Sequence, residues 1–286
     1  MILSRQHFKV QGKIILEKVQ FQPPLNADSA MHNEACFLHV VRGKSRLYSP
    51  TQNLSVQSQD NLLMKCGHYL NKWFQNENAQ PNEAVLIHFY PDILKWVYQD
   101  RLPDFFSFLP SKSSQTVAKI ETDQIIQNYM EQLLHCFEHP QLVNDEFIKI
   151  KIQELIFILT QSQNNSQIIT ILNQLFHPTE YAFKDVIHKN IFEDLSLNDL
   201  ATICGMSLSS FKRKFRTVFN TSPKNYIIEQ RLLKAAEYLK NSSLRISEIA
   251  LECGFNDMGY FSKSFSSKFE YSPTDYRKLH LNQLSH

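Results

Sequence analysis

The chain has 286 residues, of which 43% are hydrophobic and 20% are charged, so two packed globular domains are expected. No apolar run approaches the roughly 18 residues of a membrane span, and the N-terminus lacks the apolar core of a signal peptide. The five cysteines form no C-x-x-C pair, which disfavours a disulfide framework and a zinc ribbon. We therefore expect a cytoplasmic protein with no membrane partner.

The net charge of +2 conceals an asymmetry along the chain. From Ser196 onward there are 13 Lys and Arg against 8 Asp and Glu, whereas the preceding residues carry 17 against 20. A basic C-terminal third beside an acidic remainder favours a polyanion-binding module joined to a second domain. Ordinary solvated surfaces reach a similar excess, so the charge alone does not decide the function.

Residues 8–90 predict a β-domain, because short β-branched or alternating runs are separated by turn residues. The expected strands are Lys13–Phe21, Cys36–Val41, Ser45–Tyr48, Asn53–Val56, Leu62–Lys65, Tyr69–Phe74 and Ala84–Tyr90. Many short strands of this kind favour a small barrel or sandwich. Such a barrel can enclose a small ligand or can be filled by its own side chains.

Histidines in this segment raise the alternative of a metal-dependent enzyme. His32, Glu34 and His39 lie close together in the sequence, and His68 and His88 follow. A metal-binding barrel of the cupin kind needs two histidines one residue apart, and H-x-H occurs nowhere in the chain. We therefore expect no metal, no cofactor and no catalytic residue. A cupin-type enzyme with an accessory helical domain remains the alternative.

Helices are predicted between residues 91 and 176. The expected helices cover Asp92–Gln99, the apolar stripe from Ile125 to Phe137, Asp145–Thr160 and about Ser166–Phe176. The second half of Asp145–Thr160 is apolar nearly all round, so burial on several sides is expected. These helices either pack on the barrel alone or also expose a face to a twin subunit. We favour the second, because the apolar surplus exceeds what one small sheet can cover.

A boundary is predicted at His177-Pro178-Thr179, which breaks the preceding helix. Residues 1–176 would then form a regulatory and dimerisation domain, with the barrel in 8–90 and helices in 91–176. Residues 180–286 would form a second domain, which begins with a helix over Glu180–Phe192.

The second domain contains one pattern written twice. The stretches 196–226 and 245–276 align at an offset of 49 up to Gly205 and Gly254, and at 50 beyond. Each copy predicts a helix, a tight turn at the glycine, and a second helix. We expect Ser196 and Ser207 to cap the helices of the first copy, and Asn256 to cap the second helix of the other. The matched buried residues are Phe211, Phe215 and Phe219 in one copy and Phe261, Phe265 and Phe269 in the other.

A connecting helix is predicted between the copies, from Pro223 at its first position to about Asn241. Its length is about 28 Å at about 1.5 Å per residue. The apolar residues expected to be buried along it are Tyr226, Ile227, Leu232, Leu233, Ala236 and Leu239. A rod of this length can place two helices about one duplex turn apart, roughly 34 Å.

The buried phenylalanines determine which residues of each second helix face outward. In the first copy these are Ser209, Ser210, Lys212, Arg213 and Arg216, and in the second Gly259, Tyr260, Ser262, Lys263 and Ser266, with Met258 just ahead. The start of such a helix enters the major groove and contacts base edges. Arg213 and Lys263 occupy equivalent positions and can reach guanine O6 and N7, although only arginine gives a planar bidentate fit.

The doubled motif resembles the DNA-binding domain of the AraC/XylS family of transcription regulators over about residues 180–280. The second copy, I-S-E-I-A-L-E-C-G-F-N-D-M-G-Y-F-S-K-S-F-S-S-K-F, carries the most specific match. The first copy, L-N-D-L-A-T-I-C-G-M-S, keeps the pattern loosely. By this resemblance the base-reading residues are Ser209, Lys212, Arg213, Met258, Gly259, Tyr260 and Lys263. Phosphate contacts would come from helix N-termini and from Ser207, Lys224 and Lys268.

The resemblance also implies an α+β fold, with a cupin-like barrel and helices that bind an effector and form a homodimer. The stretches F-L-H-V-V-R-G-K-S-R-L-Y and N-L-L-M-K-C-G-H-Y are similar to strand pairs of that barrel. The expected effector is a small molecule or a protein. Among regulators of this family, the chain most resembles those controlled by another protein, as in type III secretion.

The expected function is a sequence-specific DNA-binding regulator, usually an activator, that works with RNA polymerase. An architectural DNA binder without sequence preference is a further alternative.

Overall fold

The computed structural model describes residues 1–31, 34–65, 67–75, 80–107, 116–162, 165–175 and 183–283. The chain folds into two compact units, Met1–Tyr181 and Ala182–His286. The expected linker at 177–179 lies outside the described residues. None of the described helices is both long enough and apolar enough to cross a membrane.

The first unit is built from antiparallel strands in two sheets. The strands are β1 Ile2–Val10, β2 Lys13–Phe21, β3 Leu25–Met31, β4 Ala35–Arg42, β5 Lys44–Tyr48, β6 Asn53–Gln57, β7 Asn61–Met64, β8 Gly67–Phe74, β9 Asn82–Phe89 and β10 Val117–Ile120. In the described residues, one sheet has the order β1-β2-β9-β4-β7-β10 and the other β3-β8-β5-β6. This double-sheet arrangement is one way in which all-β folds limit exposed edges.

Both faces of the six-stranded sheet are buried, which explains its nearly continuous apolar strands. On β4, Cys36, Leu38 and Val40 face the four-stranded sheet and pack in one cluster with Leu47 and Trp73. The alternate residues of β4, including Phe37, pack in a second cluster with the helices. The six-stranded sheet is therefore the middle layer of the unit, between the other sheet and the helices.

Three strands escaped the sequence prediction, and the sheet extends beyond the expected 8–90 at both ends. β1 is an edge strand whose residues are mostly exposed, so it lacks the apolar alternation that marks a half-buried strand. β3 carries few β-branched or aromatic residues. β10 has four residues and is held at the other edge by pairing with β7, a contact distant in sequence.

The helices of the first unit are α1 Pro91–Val97, α2 Gln124–Glu138, α3 Asp145–Gln161 and α4 Asn165–Asn173. Two expectations for them were wrong. Ile125 at the start of α2 is 60% exposed and lies outside the buried stripe. α3 is not buried all round, because Ile150 and Phe157 are 60% and 67% exposed while Ile148, Ile152, Leu155, Ile156 and Leu159 are buried. One face of α3 packs into the core, and a second face presents apolar side chains outside it.

The second unit is helical, and together the two units confirm the expected α+β class. Its helices are α5 Phe183–Asn190, α6 Leu197–Ile203, α7 Leu208–Phe219, α8 Pro223–Asn241, α9 Ile246–Glu252, α10 Met258–Phe269 and α11 Pro273–Gln283. The connecting helix α8 has the expected bounds. Leu233 on α8 is 42% exposed, against expectation, because its neighbours Leu232 and Ala235 already occupy the side that packs on the copies.

Candidate nucleic-acid interface

Each copy forms the helix, turn and second helix that the repeat predicts. In the first copy, Asp199 N–H donates to Ser196 Oγ (3.1 Å) and Ser196 N–H donates to Asp199 Oδ2 (3.0 Å), a reciprocal capping box. In the second, Arg245 N–H donates to Glu248 Oε2 (2.7 Å). Gly205 and Gly254 both end their helices with positive φ, at 67° and 81°, the left-handed region that glycine enters without strain.

The cap of α10 differs from the expected one. Ser207 caps α7 as predicted and accepts a hydrogen bond from Ser210 N–H (3.3 Å). In the second copy Asp257, not Asn256, caps α10, and its carboxylate accepts from Tyr260 N–H (2.6 Å). The insertion that changes the offset from 49 to 50 precedes this position, so Asp257 is the true counterpart of Ser207. Asn256 instead donates from Nδ2 to Asp194 Oδ1 (2.9 Å).

Matched aromatic ladders hold the two second helices. The ring centroids of Phe211 and Phe215 lie 5.6 Å apart, and those of Phe261 and Phe265 lie 5.7 Å apart. All four of these rings are fully buried. The tyrosines closing the two copies pack on the same ladders, Tyr226 against the first and Tyr276 against the second. Because this spacing of four buries one stripe of each helix, the opposite stripe faces solvent.

The cysteines before the turn glycines lie within or beside the two cores. Cys253 is fully buried and Cys204 is half-buried. Burial raises the pKa of Cys204 to about 12 and that of Cys253 to about 11. Neither thiol is therefore activated as a thiolate at neutral pH.

The outward face of α7 combines hydroxyls at its start with cations along its length. Ser207 Oγ lies 3.1 Å from Ser209 Oγ and donates to Ser210 Oγ (3.0 Å), so the three expected serine contacts form one cluster at the helix N-terminus. Ser207 and Ser209 are exposed, whereas Ser210 is half-buried. Lys212, Arg213 and Arg216 follow, all exposed.

An open groove of about 700 Å³ lies beside this face, and we call it the basic groove. It is lined by Leu197, Lys212, Arg213, Arg216, Thr217, Ser222, Pro223 and Lys224. The N-terminus of α8 begins here, where Asn225 N–H donates to Ser222 Oγ (3.3 Å). Four cationic side chains beside the N-terminus of a 19-residue helix make a site suited to an anion such as a phosphate. Lys224, expected as a phosphate contact, thus meets the expected base-reading residues in one groove.

The outward face of α10 carries less positive charge than that of α7. Met258, Tyr260 and Lys263 are exposed, and Gly259 is exposed between them. Lys268, expected as a phosphate contact, donates to Glu229 Oε1 on α8 (2.6 Å). With Asp257 at its cap, α10 presents one carboxylate where α7 presents a hydroxyl. The two faces are therefore unequal in electrostatics.

Sequence reasoning missed Arg231, which contributes to the second unit's core through its guanidinium. Arg231 lies on α8 one turn from Ile227 and one turn from Ala235, both of which are buried. Its Nε donates to Ile191 O (2.9 Å) and its Nη2 donates to Glu193 O (2.7 Å). A cation in an otherwise apolar stripe was the signal that could have found it.

Comparison with known protein families agrees with this geometry. Residues 200–279 match a helix-turn-helix domain family, and residues 35–171 match the ExsA N-terminal regulatory domain. The chain belongs to the AraC/XylS family. The resemblance expected from the doubled motif is thereby confirmed, and the second unit carries an AraC-type DNA-binding domain.

Curated relatives of this AraC/XylS-family protein include the HTH-type transcriptional regulator ExsA of Pseudomonas aeruginosa. It is 30% identical over 153 residues, which cover 54% of this chain and 53% of ExsA. The virulence regulon transcriptional activator VirF of Yersinia enterocolitica is 31% identical over 129 residues, covering 45% of this chain and 48% of VirF. The matched regions span about half of each relative's length. Among solved structures, unsaturated fatty acid-bound ToxT from Vibrio cholerae matches with a TM-score of 0.40 and 12% identity, covering 92% of this chain and 94% of that one.

The histidines considered as metal ligands in the first unit have other surroundings in this AraC/XylS-family protein. His32 lies outside the described residues, and His39 Nδ1 lies 2.8 Å from Asn61 Oδ1. His88 on β9 lies between two glutamates, with Nδ1 3.1 Å from Glu34 Oε2 and Nε2 3.7 Å from Glu17 Oε2. In the described part of the chain, the group with metal-ligand spacing is elsewhere, at the exposed end of α2: His135, Glu138 and His139.

His88 lies between two carboxylates that favour its charged form. Burial alone would lower its pKa, but the charges of Glu17 and Glu34 and the hydrogen bond to Glu34 outweigh burial and raise the pKa to about 9. Glu17 also pairs with Arg5, and its own pKa is lowered by His88 and Arg5 although burial opposes the change. The cluster is thus a largely buried network that joins β2 and β9 and extends to the half-exposed Arg5 on β1.

We expect the stability of the first unit to depend on pH through His88. A histidine whose folded pKa is about 9, above the unfolded value of about 6.5, stabilises fully below about pH 6.5 and loses that contribution as pH rises through about 9. The expected loss is on the order of 2–3 kcal/mol. Urea denaturation followed by the fluorescence of Trp73 and Trp96 at pH 6 and pH 9 measures it.

His88→Gln removes the titrating group and should flatten this dependence. His135→Gln, at an exposed histidine, is the matched control and should leave the dependence of the free energy of unfolding on pH as it is in the wild type. If the unfolding free energy of His88→Gln changed with pH as much as that of the wild type, His88 would not be the group responsible.

Proposed function

We propose that this AraC/XylS-family protein is a sequence-specific DNA-binding transcription activator that contacts two adjacent major-groove segments. The observation that carries the proposal is the matched pair α7 and α10, each capped, backed by buried phenylalanines and exposed on the opposite stripe. VirF is called a transcriptional activator, which supports activation as the outcome. We propose that the chain acts by binding, without catalysis, metal or cofactor, in the cytoplasm and with RNA polymerase as its target.

The two copies have unequal roles in this proposal. Ser209, Lys212 and Arg213 on α7 contact base edges, with Ser210 and Arg216 beside them. The phosphates on either side are held by Ser207 at the start of α7 and by Lys224 in the basic groove. On α10, Met258, Gly259, Tyr260 and Lys263 face the second segment with fewer hydrogen-bond donors. The second copy therefore contributes more to anchoring than to discrimination between sequences.

The role of Lys268 depends on its ion pair. Its ammonium is bound to Glu229 in the free chain, and a surface pair of this kind contributes only about 0–1 kcal/mol. A phosphate can therefore replace Glu229 at little cost. We propose that Lys268 contacts DNA by this exchange.

Selection of bound duplexes from a random pool by the purified full chain tests the proposal. We expect an enriched sequence with two conserved segments about one duplex turn apart, the first more strongly conserved than the second. Enrichment of one segment only would remove the two-segment reading. Equal affinity for all duplexes would replace this function by architectural binding without sequence preference.

The first unit is proposed to control the DNA-binding unit as a homodimer. α3 leaves Ile150 and Phe157 exposed on one face, two turns apart, which suits a twin copy of the same face. A groove of about 430 Å³ lies beside it, lined by Tyr98, Pro103, Phe105, Gln153, Ile156, Phe157, Thr160 and Gln161. A small-molecule or protein effector that binds this region would shift the monomer–dimer equilibrium, and through it would control DNA binding.

Replacing Phe157 by glutamate is expected to weaken the homodimer by at least about 2 kcal/mol, because it buries an unpaired charge in the proposed interface. Analytical ultracentrifugation of the full chain measures the change. Phe74→Glu, at a 49% exposed phenylalanine on β8 in the other sheet, makes the same substitution away from α3 and should leave the dimer intact. If Phe157→Glu dimerised as strongly as the wild type, the dimer interface would have to lie away from α3.

A further inference from the structure

One guanidinium joins the two helix-turn-helix copies. Arg231 donates from Nε to Ile191 O and from Nη2 to Glu193 O, both in the segment between α5 and α6 that leads into the first copy. Ile191 packs in the core of that copy. Arg231 Nη1 donates to Gly254 O, in the turn of the second copy. Three donors of one planar group therefore bind backbone carbonyls of the second copy and of the segment entering the first, and the side chain belongs to the helix that connects the copies.

The two copies also approach closely at this point through a glycine. A Cβ on Gly254 would lie 2.7 Å from Phe192 O, in the segment that leads into the first copy, and 2.7 Å from Arg231 Cζ. The positive φ of 81° independently favours glycine here. Since the backbone of that segment leaves no room for a methyl group on the turn of the second copy, the contact allows little variation in their separation.

Two weaker bridges span the same contact. Asn256 Nδ2 donates to Asp194 Oδ1 (2.9 Å), which joins the residue before the α10 cap to the loop before α6. Lys234 Nζ donates to Glu252 O (3.1 Å) in the second copy and lies 4.2 Å from the ring centroid of Phe192, in the segment that leads into the first copy. These bridges and Arg231 all meet where α8 passes between the copies.

The arginine bridge resists deformation more than a flexible contact would. A guanidinium presents its donors in a fixed planar fork, so moving one copy against the other breaks hydrogen bonds instead of bending them. Burial lowers the pKa of Arg231, partly offset by Asp194 and Cys253, yet an arginine remains charged in proteins. Losing a carbonyl partner would leave a part-buried charge less well solvated.

We infer that Arg231 is a positioning residue that fixes the distance and angle between α7 and α10, so that the chain accepts one spacing between its two DNA segments. This inference rests on the proposed function, because it concerns how two reading helices act together. A single base pair inserted between the segments moves them apart by about 3.4 Å and rotates them by about 35°. A rigid pair cannot follow this change, whereas a loosened pair can.

The test measures binding of the full chain to four duplexes made from the selected sequence. One keeps the selected spacing, one has a base pair inserted between the segments, one has a base pair removed, and one has the second segment scrambled. For the wild type we expect affinity to fall by about tenfold on insertion or removal, because simultaneous engagement is lost.

Arg231→Met keeps the aliphatic stem and removes the three donors. We expect its penalty for insertion or removal to shrink to about twofold, and its affinity for the selected spacing to fall toward that of the scrambled duplex. Affinity for the duplex with the second segment scrambled should stay within about twofold of the wild type, since the first copy retains its own core. General destabilisation would lower affinity for all four duplexes alike and would overturn the inference.

Arg277→Met is the matched control. Arg277 donates from Nη2 to Leu244 O (2.7 Å), a bond between the two residues that flank the second copy, so this variant should keep the wild-type penalty for altered spacing. Asn256→Ala removes an exposed bridge without opening the core. Like Arg231→Met, it should reduce the loss of affinity caused by inserting or removing a base pair. It decides the question if Arg231→Met fails to fold.

The outcomes separate this inference from the proposed function. A wild type that binds the selected duplex but tolerates every spacing, or an Asn256→Ala that keeps the full penalty while Arg231→Met is unfolded, overturns the positioning role alone. A wild type that prefers no sequence overturns both. An unchanged tenfold penalty in a folded Arg231→Met also removes the role of Arg231.

Discussion

Replacing Arg213 by alanine is expected to weaken binding to the selected duplex by about 1–3 kcal/mol and to relax the preference at one base position. Arg213 is exposed on α7, and its guanidinium has the planar fork that pairs with guanine O6 and N7. It also lines the basic groove, so a phosphate contact is the competing role. Affinities for duplexes with each base substituted at the contacted position, measured at two salt concentrations, separate the two roles.

Lys214→Ala is the matched control for Arg213→Ala, because it removes the same charge from the adjacent residue. Lys214 Nζ lies 5.1 Å from the ring centroid of Phe183, on the side of α7 that packs toward α5. We expect this variant to lower affinity slightly and equally for all sequences. If Arg213→Ala also loses the same affinity on every sequence and reduces the salt dependence by about one charge, its role is phosphate binding.

Lys263→Ala makes the equivalent change in the second copy and is expected to cost about 1–3 kcal/mol by the same reasoning. A lysine ammonium lacks the bidentate fit, and the carboxylate of Asp257 caps the same helix. The loss should therefore fall toward the lower end of this range. A loss larger than that of Arg213→Ala would reverse the proposed order of the two copies.

The features that the sequence predicted best in this AraC/XylS-family protein are those determined by local periodicity. A phenylalanine every four residues requires a helix with one buried stripe, and the same stripe occurs twice. The start of α8 followed from Pro223 at the first helical position. The exposed stripe, and with it Arg213, followed without any knowledge of tertiary contacts.

The features that escaped prediction depend on contacts distant in sequence. Nothing local to Arg231 indicates that Gly254 O, 23 residues away, will accept its hydrogen bond. Lys268 has the sequence position of a phosphate contact, but its pairing with Glu229 exists only because α10 packs beside α8. The misplaced cap at Asn256 had a different cause, since a one-residue insertion changed the alignment of the copies.

The β-domain shows the same division. Strands rich in apolar and β-branched residues, such as β2 and β4, were found, because burial of one or both faces determines their composition. β1 is paired only along one side and is mostly exposed, so its composition carries little information about the sheet. For α3, composition alone could not separate a helix buried all round from one with an exposed apolar face at Phe157.

Replacing Phe261 by alanine is expected to destabilise the second copy by about 3–5 kcal/mol. Phe261 is fully buried, and its ring centroid lies 5.0 Å from that of Phe255 and 5.7 Å from that of Phe265. The alanine would lose these contacts and leave a cavity beneath α10. Hydrogen exchange of the α10 amides in the full chain should accelerate by more than about a hundredfold, while the α7 amides remain protected.

Phe211→Ala is the same change in the first copy and should give the converse result, with α7 exposed to exchange and α10 protected. Tyr260 is the 46% exposed neighbour of Phe261. Tyr260→Ala should leave the opening free energy of the α10 amides within about 0.5 kcal/mol of the wild type while weakening binding to the second DNA segment. Phe261→Ala should retain the affinity of the first segment alone, whereas Phe211→Ala should lose it. If either phenylalanine variant opened both α7 and α10, the copies would unfold as one unit through α8, since the two cores contact opposite parts of that helix.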